Sequence, residues 1–101
     1  MKIYIVDNTR KMKEIKRALE DYNVEIKDNA KFKMTKNDYV ILSDEVGTLD
    51  GIENLKNIII LVKDKNYKYI WKLANSYKTI DIIDGSMDTK YIVSRIESCI
   101  S

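Results

Sequence analysis

The chain has 101 residues, 45% of them apolar and 34% charged, with 18 Lys/Arg against 16 Asp/Glu for a net charge of +2. That composition fits one domain spanning residues 1–101 with a core under a solvated surface; it argues against disorder, and the charge is too small to indicate nucleic acid by itself. The absence of histidine and the single cysteine, Cys99, exclude a Ser-His-Asp triad, an internal disulfide and a cysteine-rich zinc site.

Residues 2–6 (Lys-Ile-Tyr-Ile-Val) are β-branched and aromatic and predict a buried first strand. Asp7, Asn8 and Thr9 offer helix N-caps. Met12, Ile15, Leu19 and Tyr22 then recur at helical spacing, predicting an amphipathic helix of about thirteen residues. Val24–Lys27 reads as a short edge strand. Residues 28–37 stand where an α/β repeat has its second helix, but they are rich in Lys and Asn, with only Phe32 and Met34 as large apolar residues, and predict a loop or single turn. Residues 39–42 (Tyr-Val-Ile-Leu) form a buried third strand, 44–47 a polar turn and 51–56 a short helix.

Ile58–Val62 is the most hydrophobic stretch and the fourth strand. The helix around 66–78 follows, with Tyr67, Ile70, Ala74 and Tyr77 as the stripe toward the sheet, and Tyr69 and Leu73 extending the apolar surface sideways. Residues 80–83 (Ile-Asp-Ile-Ile) make the fifth strand, ended by Gly85. Ser86 or Asp88 caps a last helix whose inner side is Tyr91, Ile92, Val93, Ile96 and Ile100. Cys99 reads as a small apolar residue on that helix. Regular alternation with short loops calls for a three-layer α/β/α domain on a five-stranded parallel sheet.

This rhythm resembles the receiver domain of two-component signalling, whose strand order is the flavodoxin-like 2-1-3-4-5. The segment from Ile3 to Asp7 resembles the family's first strand running into its acids. Asp38 to Ser43 (Asp-Tyr-Val-Ile-Leu-Ser) resembles the strand that runs into the phospho-accepting aspartate. By that resemblance Asp7 keeps one of two expected metal-binding acids, and Asn8 replaces the other. Ser43 takes the place of the acceptor, with Asp44 one position late. Val62 takes the place of the usual Ser/Thr and is followed by Lys63. Asp84 takes the place of the lysine that neutralises the phosphoryl group, and Gly85 that of a proline.

Phosphoryl transfer needs a metal held by carboxylates, a nucleophile in line and a cation on the transferred oxygens. The resemblance therefore implies a degenerate, non-catalytic receiver, similar to the domain that precedes the ATPase of TadZ-type pilus-assembly proteins. Asp7, Ser43, Asp44, Lys63 and Asp84 form the vestigial pocket, with no cofactor and no metal expected. The rival reading is a small-ligand or divalent-cation switch built on Asp7, Asp44 and Asp84.

Receivers commonly pair through the last two helices and the strand between them, so Tyr69, Leu73, Tyr77 and Tyr91 are the candidate interaction face. The expected partner is a protein: a second copy, or a fused or cognate ATPase domain. Charge is uneven, with ten Lys/Arg against six acids in residues 1–36 and one Lys against five acids in 37–57. The basic first helix (Arg10, Lys11, Lys13, Lys16, Arg17) is read as a solvated face, and a nucleic-acid role ranks last. The N-terminus meets a charge too early for a signal peptide, and no apolar run approaches the roughly 18 residues of a membrane span. A cytoplasmic location without membrane contact is the expectation.

Overall fold

The apolar runs fold into five strands in the computed structural model, which describes residues 1–44, 49 and 51–100. They are β1 (Ile3–Val6), β2 (Val24–Lys27), β3 (Tyr39–Ser43), β4 (Ile58–Val62) and β5 (Thr79–Asp84). Every neighbouring pair is parallel, in the order β2-β1-β3-β4-β5. Parallel neighbours require crossovers, which place the helices α1 (Arg10–Ala18), α2 (Tyr67–Ser76) and α3 (Thr89–Ile100) on the two faces. This is the flavodoxin-like arrangement expected from the sequence.

Side chains alternate across each strand and divide the core in two. Ile3, Ile5, Ile41, Ile59, Leu61 and Ile83 face α1 and α3, where Met12, Ile15, Ile92 and Ile96 cover them. Val6, Val40, Leu42, Ile58, Ile60 and Val62 face the other way, toward Leu73 of α2, Ile52 and Leu55. Each fully buried Ile or Leu contributes about 1.5–3 kcal/mol of transfer free energy, so continuous runs such as β4 dominate the driving force.

The first helix is shorter than the expected thirteen residues. Thr9 caps it by accepting from the Met12 N–H at 3.2 Å, and the Leu19 N–H ends it on the Ile15 and Lys16 carbonyls. Tyr22 therefore lies beyond α1, in a turn, while its ring still packs against the core. Strands β3 and β5 run to Ser43 and Asp84, slightly past the expected ends. A register shift at Ile58/Ile59 makes Ile80 the extra residue of β5, and its side chain is left exposed.

Between β2 and β3 there is no helix. Ala30, Phe32 and Met34 pack onto the second face at every other position, and the Phe32 ring meets Tyr4 with centroids 4.4 Å apart. A period of two cannot line one side of a helix, and the polar side chains offer the backbone other partners. Asn29 Oδ1 accepts from the Lys31 N–H at 2.8 Å. Asp38, the buried carboxylate among the described residues, accepts from the Thr35 N–H and from the Lys2 N–H, both at 2.9 Å. Asn57, at φ +52°, donates its amide to the Lys36 and Asp38 carbonyls. The 3-10 turn Ile52–Asn54 completes this side of the domain.

Candidate functional site at the carboxyl edge of the sheet

In an open parallel sheet, ligands bind outside the carboxyl ends of the strands. Asp7, Ser43, Asp44, Lys63 and Asp84 all lie along that edge, as the sequence indicated. Ser43 is the last residue of β3, opposite Leu61. The strand continues its pairing one step further, with the Asp44 N–H donating to the Leu61 carbonyl at 3.1 Å. Alternation then sends Asp44 to the side opposite Ser43, toward α2. Its Oδ2 accepts from the Tyr69 hydroxyl at 2.9 Å and its Oδ1 from the Lys63 N–H at 3.3 Å.

Burial pushes the Tyr69 phenol up to about 12, and the hydrogen bond to Asp44 adds to that. A raised phenol pKa favours the neutral, folded form. Stability from this contact is full below pH 10 and falls as pH rises toward 12. Alkaline titration by tyrosinate absorbance should show one step near 12 that is absent from Tyr69→Phe.

Asp84 is held differently. Its Oδ1 accepts from the Ser86 hydroxyl at 2.6 Å and the Ser86 N–H at 2.9 Å, and Lys65 Nζ lies 2.9 Å from Oδ2. The Ser86 hydroxyl first, then Lys65, draws the carboxyl down to about 2. Gly85 donates its N–H to the Val62 carbonyl at 2.8 Å, a bond that the proline of the receiver pattern could not make. Asp7 adopts φ +90° and turns its Oδ1 onto the Asn8 N–H at 2.7 Å. The three acids are thus held by three separate sets of partners. Among the described residues no group of three or more His, Cys, Asp or Glu side chains is placed to hold a metal ion.

A cleft of about 190 Å³ runs along this edge, bordered by Thr9, Lys11, Ser43, Asp44, Lys63 and Gly85. Lys11, from the first turn of α1, borders it and donates to the Met87 carbonyl at 2.6 Å. The sequence places Lys11 on a solvated helix face and gives no sign that Lys65 and Ser86 are the partners of Asp84. Both lie within three residues of a strand end, where such contacts arise.

The facing of α2 corrects the expected stripe. Asn66 caps the helix by accepting from the Lys68 and Tyr69 N–H groups, and from that start Tyr69, Leu73 and Tyr77 point inward. Leu73 is 4% exposed, and Tyr69 and Tyr77 pack against the second core. Tyr67, assigned to the inner stripe from the sequence, is instead 79% exposed, and Trp71 is 60% exposed. Of the four residues of the candidate interaction face, Tyr91 on α3 is the surface one, its hydroxyl accepting from Arg95 at 2.8 Å. Arg95 in turn makes a bidentate pair with Asp81 of β5. Cys99 is half-buried with its sulfur 3.6 Å from Asp81, and burial pushes its thiol pKa up, which disfavours the reactive thiolate.

Among solved structures, a response regulator from Thermotoga maritima superposes on this chain with a TM-score of 0.75 at 20% identity, over 98% of this chain and 96% of that one. At that identity the likeness is one of fold. No protein-family model matches the sequence, and no curated protein does. No helix among the described residues is long and apolar enough to cross a membrane.

Proposed function

We propose that this chain is a receiver-like regulatory module that acts through protein–protein contact, with no phosphorylation on aspartate and no reaction of its own. The observation that carries the reading is the fate of Asp44. Ser43 ends the strand where a receiver would present its acceptor, and the neighbouring carboxylate is turned away onto Tyr69 and the Lys63 amide. Asp84 supplies a negative charge where the resemblance places a phosphate-binding lysine.

The exposed aromatic pair Tyr67 and Trp71, one turn apart on α2, supports docking, because large aromatics are enriched where proteins meet. A second copy or a cognate ATPase domain in the cytoplasm, as in pilus assembly, is the partner this reading favours.

Sedimentation velocity with and without acetyl phosphate and Mg²⁺, followed by intact-mass measurement, tests it. Self-association or capture of the ATPase domain should be indifferent to acetyl phosphate and be lost in Trp71→Glu with an unchanged circular dichroism spectrum. A phosphoryl adduct on Asp44, or association that depends on one, would overturn it. The cleft beside Lys11 and Asp44 favours a small-ligand switch as the second reading. A flat thermal-shift response to Mg²⁺, Mn²⁺ and nucleotides would remove that reading.

A further inference from the structure

We infer that the groove left on the second face of the sheet, where a helix between β2 and β3 is missing, docks an acidic segment of a partner protein anchored by an apolar side chain. The groove has a volume of about 490 Å³ and runs between the 30–36 segment and the end of the 3-10 turn. Lys31, Lys33 and Lys36 rim one wall and Lys56 the other. The described residues lining it include no carboxylate. Its floor is apolar, formed by Phe32, Met34 and Leu55.

Ammonium groups on both walls repel one another, and an anionic occupant relieves that repulsion. The walls are held in place before anything binds. The Asp38 carboxylate ties Thr35 to Lys2, and Asn57 ties Lys36 and Asp38 to the start of β4. A preformed site loses less ordering entropy on binding. The volume lies within the range of about 300–1,000 Å³ usual for ligand pockets, room for an apolar side chain together with the backbone on either side of it.

A peptide fits better than a nucleic acid. Phe32 already packs against Tyr4 in a tilted contact, no arginine is among the described residues lining the groove, and base recognition by single-strand binders relies on open aromatic faces. Lysines arranged around an apolar floor instead match carboxylates that flank a Leu or Phe side chain. The inference rests on the reading of this domain as a docking module, but it uses a different surface from Trp71.

The test is an NMR titration of the ¹⁵N-labelled chain with three probes. One is a dodecapeptide alternating Glu or Asp with Leu and Phe; the second has equal charge with Ser in place of Leu and Phe; the third is a single-stranded oligothymidylate. The amphipathic acidic peptide should shift the amides of 30–36 and 54–56 saturably, at least roughly tenfold more tightly than the polar one. Lys33→Glu combined with Lys36→Glu should weaken it by roughly tenfold or more with an unchanged spectrum, whereas Trp71→Glu should leave it intact. No saturation, equal binding of the polar peptide or the oligonucleotide, or shifts confined to α2 would overturn the inference. A phosphoryl adduct on Asp44 would sink the functional reading without moving this titration. Loss of association in Trp71→Glu alongside a silent groove would do the reverse.

Discussion

Replacing Asp38 by Ala is expected to lower the unfolding free energy by about 2 kcal/mol, the cost of losing two charge-assisted hydrogen bonds from partly buried backbone donors. The Lys2 and Thr35 N–H groups both donate to this carboxylate, which is 6% exposed, so truncation removes one acceptor that joins the start of β1 to the segment before β3. Asp38→Asn keeps one good acceptor and should lose less. Urea denaturation of both variants checks the ranking.

The contact also has a pH signature. The Thr35 N–H, helped by the Lys2 N–H and opposed by burial, holds the Asp38 pKa below its ordinary 3.8. The ionised form is favoured in the folded state, so its stability is fully present above the unfolded value. It is lost as pH falls through the depressed folded value. The difference between wild type and Asp38→Ala should therefore shrink on acidification below about pH 4.

Leu73→Ala should cost about 3 kcal/mol, whereas Trp71→Ala should stay within about 0.5 kcal/mol. The contrast comes from the facing of α2. Leu73 fills the second core beneath the helix, and Trp71 stands 60% exposed two residues earlier. Thermal unfolding of the two variants reads the helix phase directly. A large loss from Trp71→Ala with none from Leu73→Ala would mean the helix is turned the other way.

Strand positions were legible because β-branched runs bounded by polar residues leave little choice, as at Ile58–Val62. The strand edge was legible too, since each site residue sits at a strand end and only its partners were hidden. The phase of α2 was not. Tyr69, Leu73, Tyr77 and Ile70 cover an arc of about 100° around a helix, and Tyr67, Trp71, Ala74 and Ile70 cover a neighbouring arc of similar width. Periodicity cannot rank the two. The Asn66 cap and the reach of the Tyr69 hydroxyl to Asp44 decide between them, and that pairing joins positions 25 residues apart.

The groove was missed for a related reason. A segment rich in Lys and Asn reads as a solvated loop, yet Ala30, Phe32 and Met34 alternate with Lys31 and Lys33 at the period of an extended strand. That alternation puts one side of the segment on the sheet and its lysines along an outer rim.

The unequal covering of the two faces has a dynamic consequence. One face is closed by the hydrogen-bonded ladders of α1 and α3, whereas next to β2 the other relies on a segment whose amides lean on single side chains such as Asn29 and Asp38. All four residues of β2 are only partly buried and lie at the sheet's margin. Amide protons of β2 and its neighbouring segment should exchange with solvent through local opening, well before those of β4, which requires the whole domain to come apart. A ligand seated between the lysines would then register first as slowed exchange in the margin of the sheet, far from the edge where receivers are usually read.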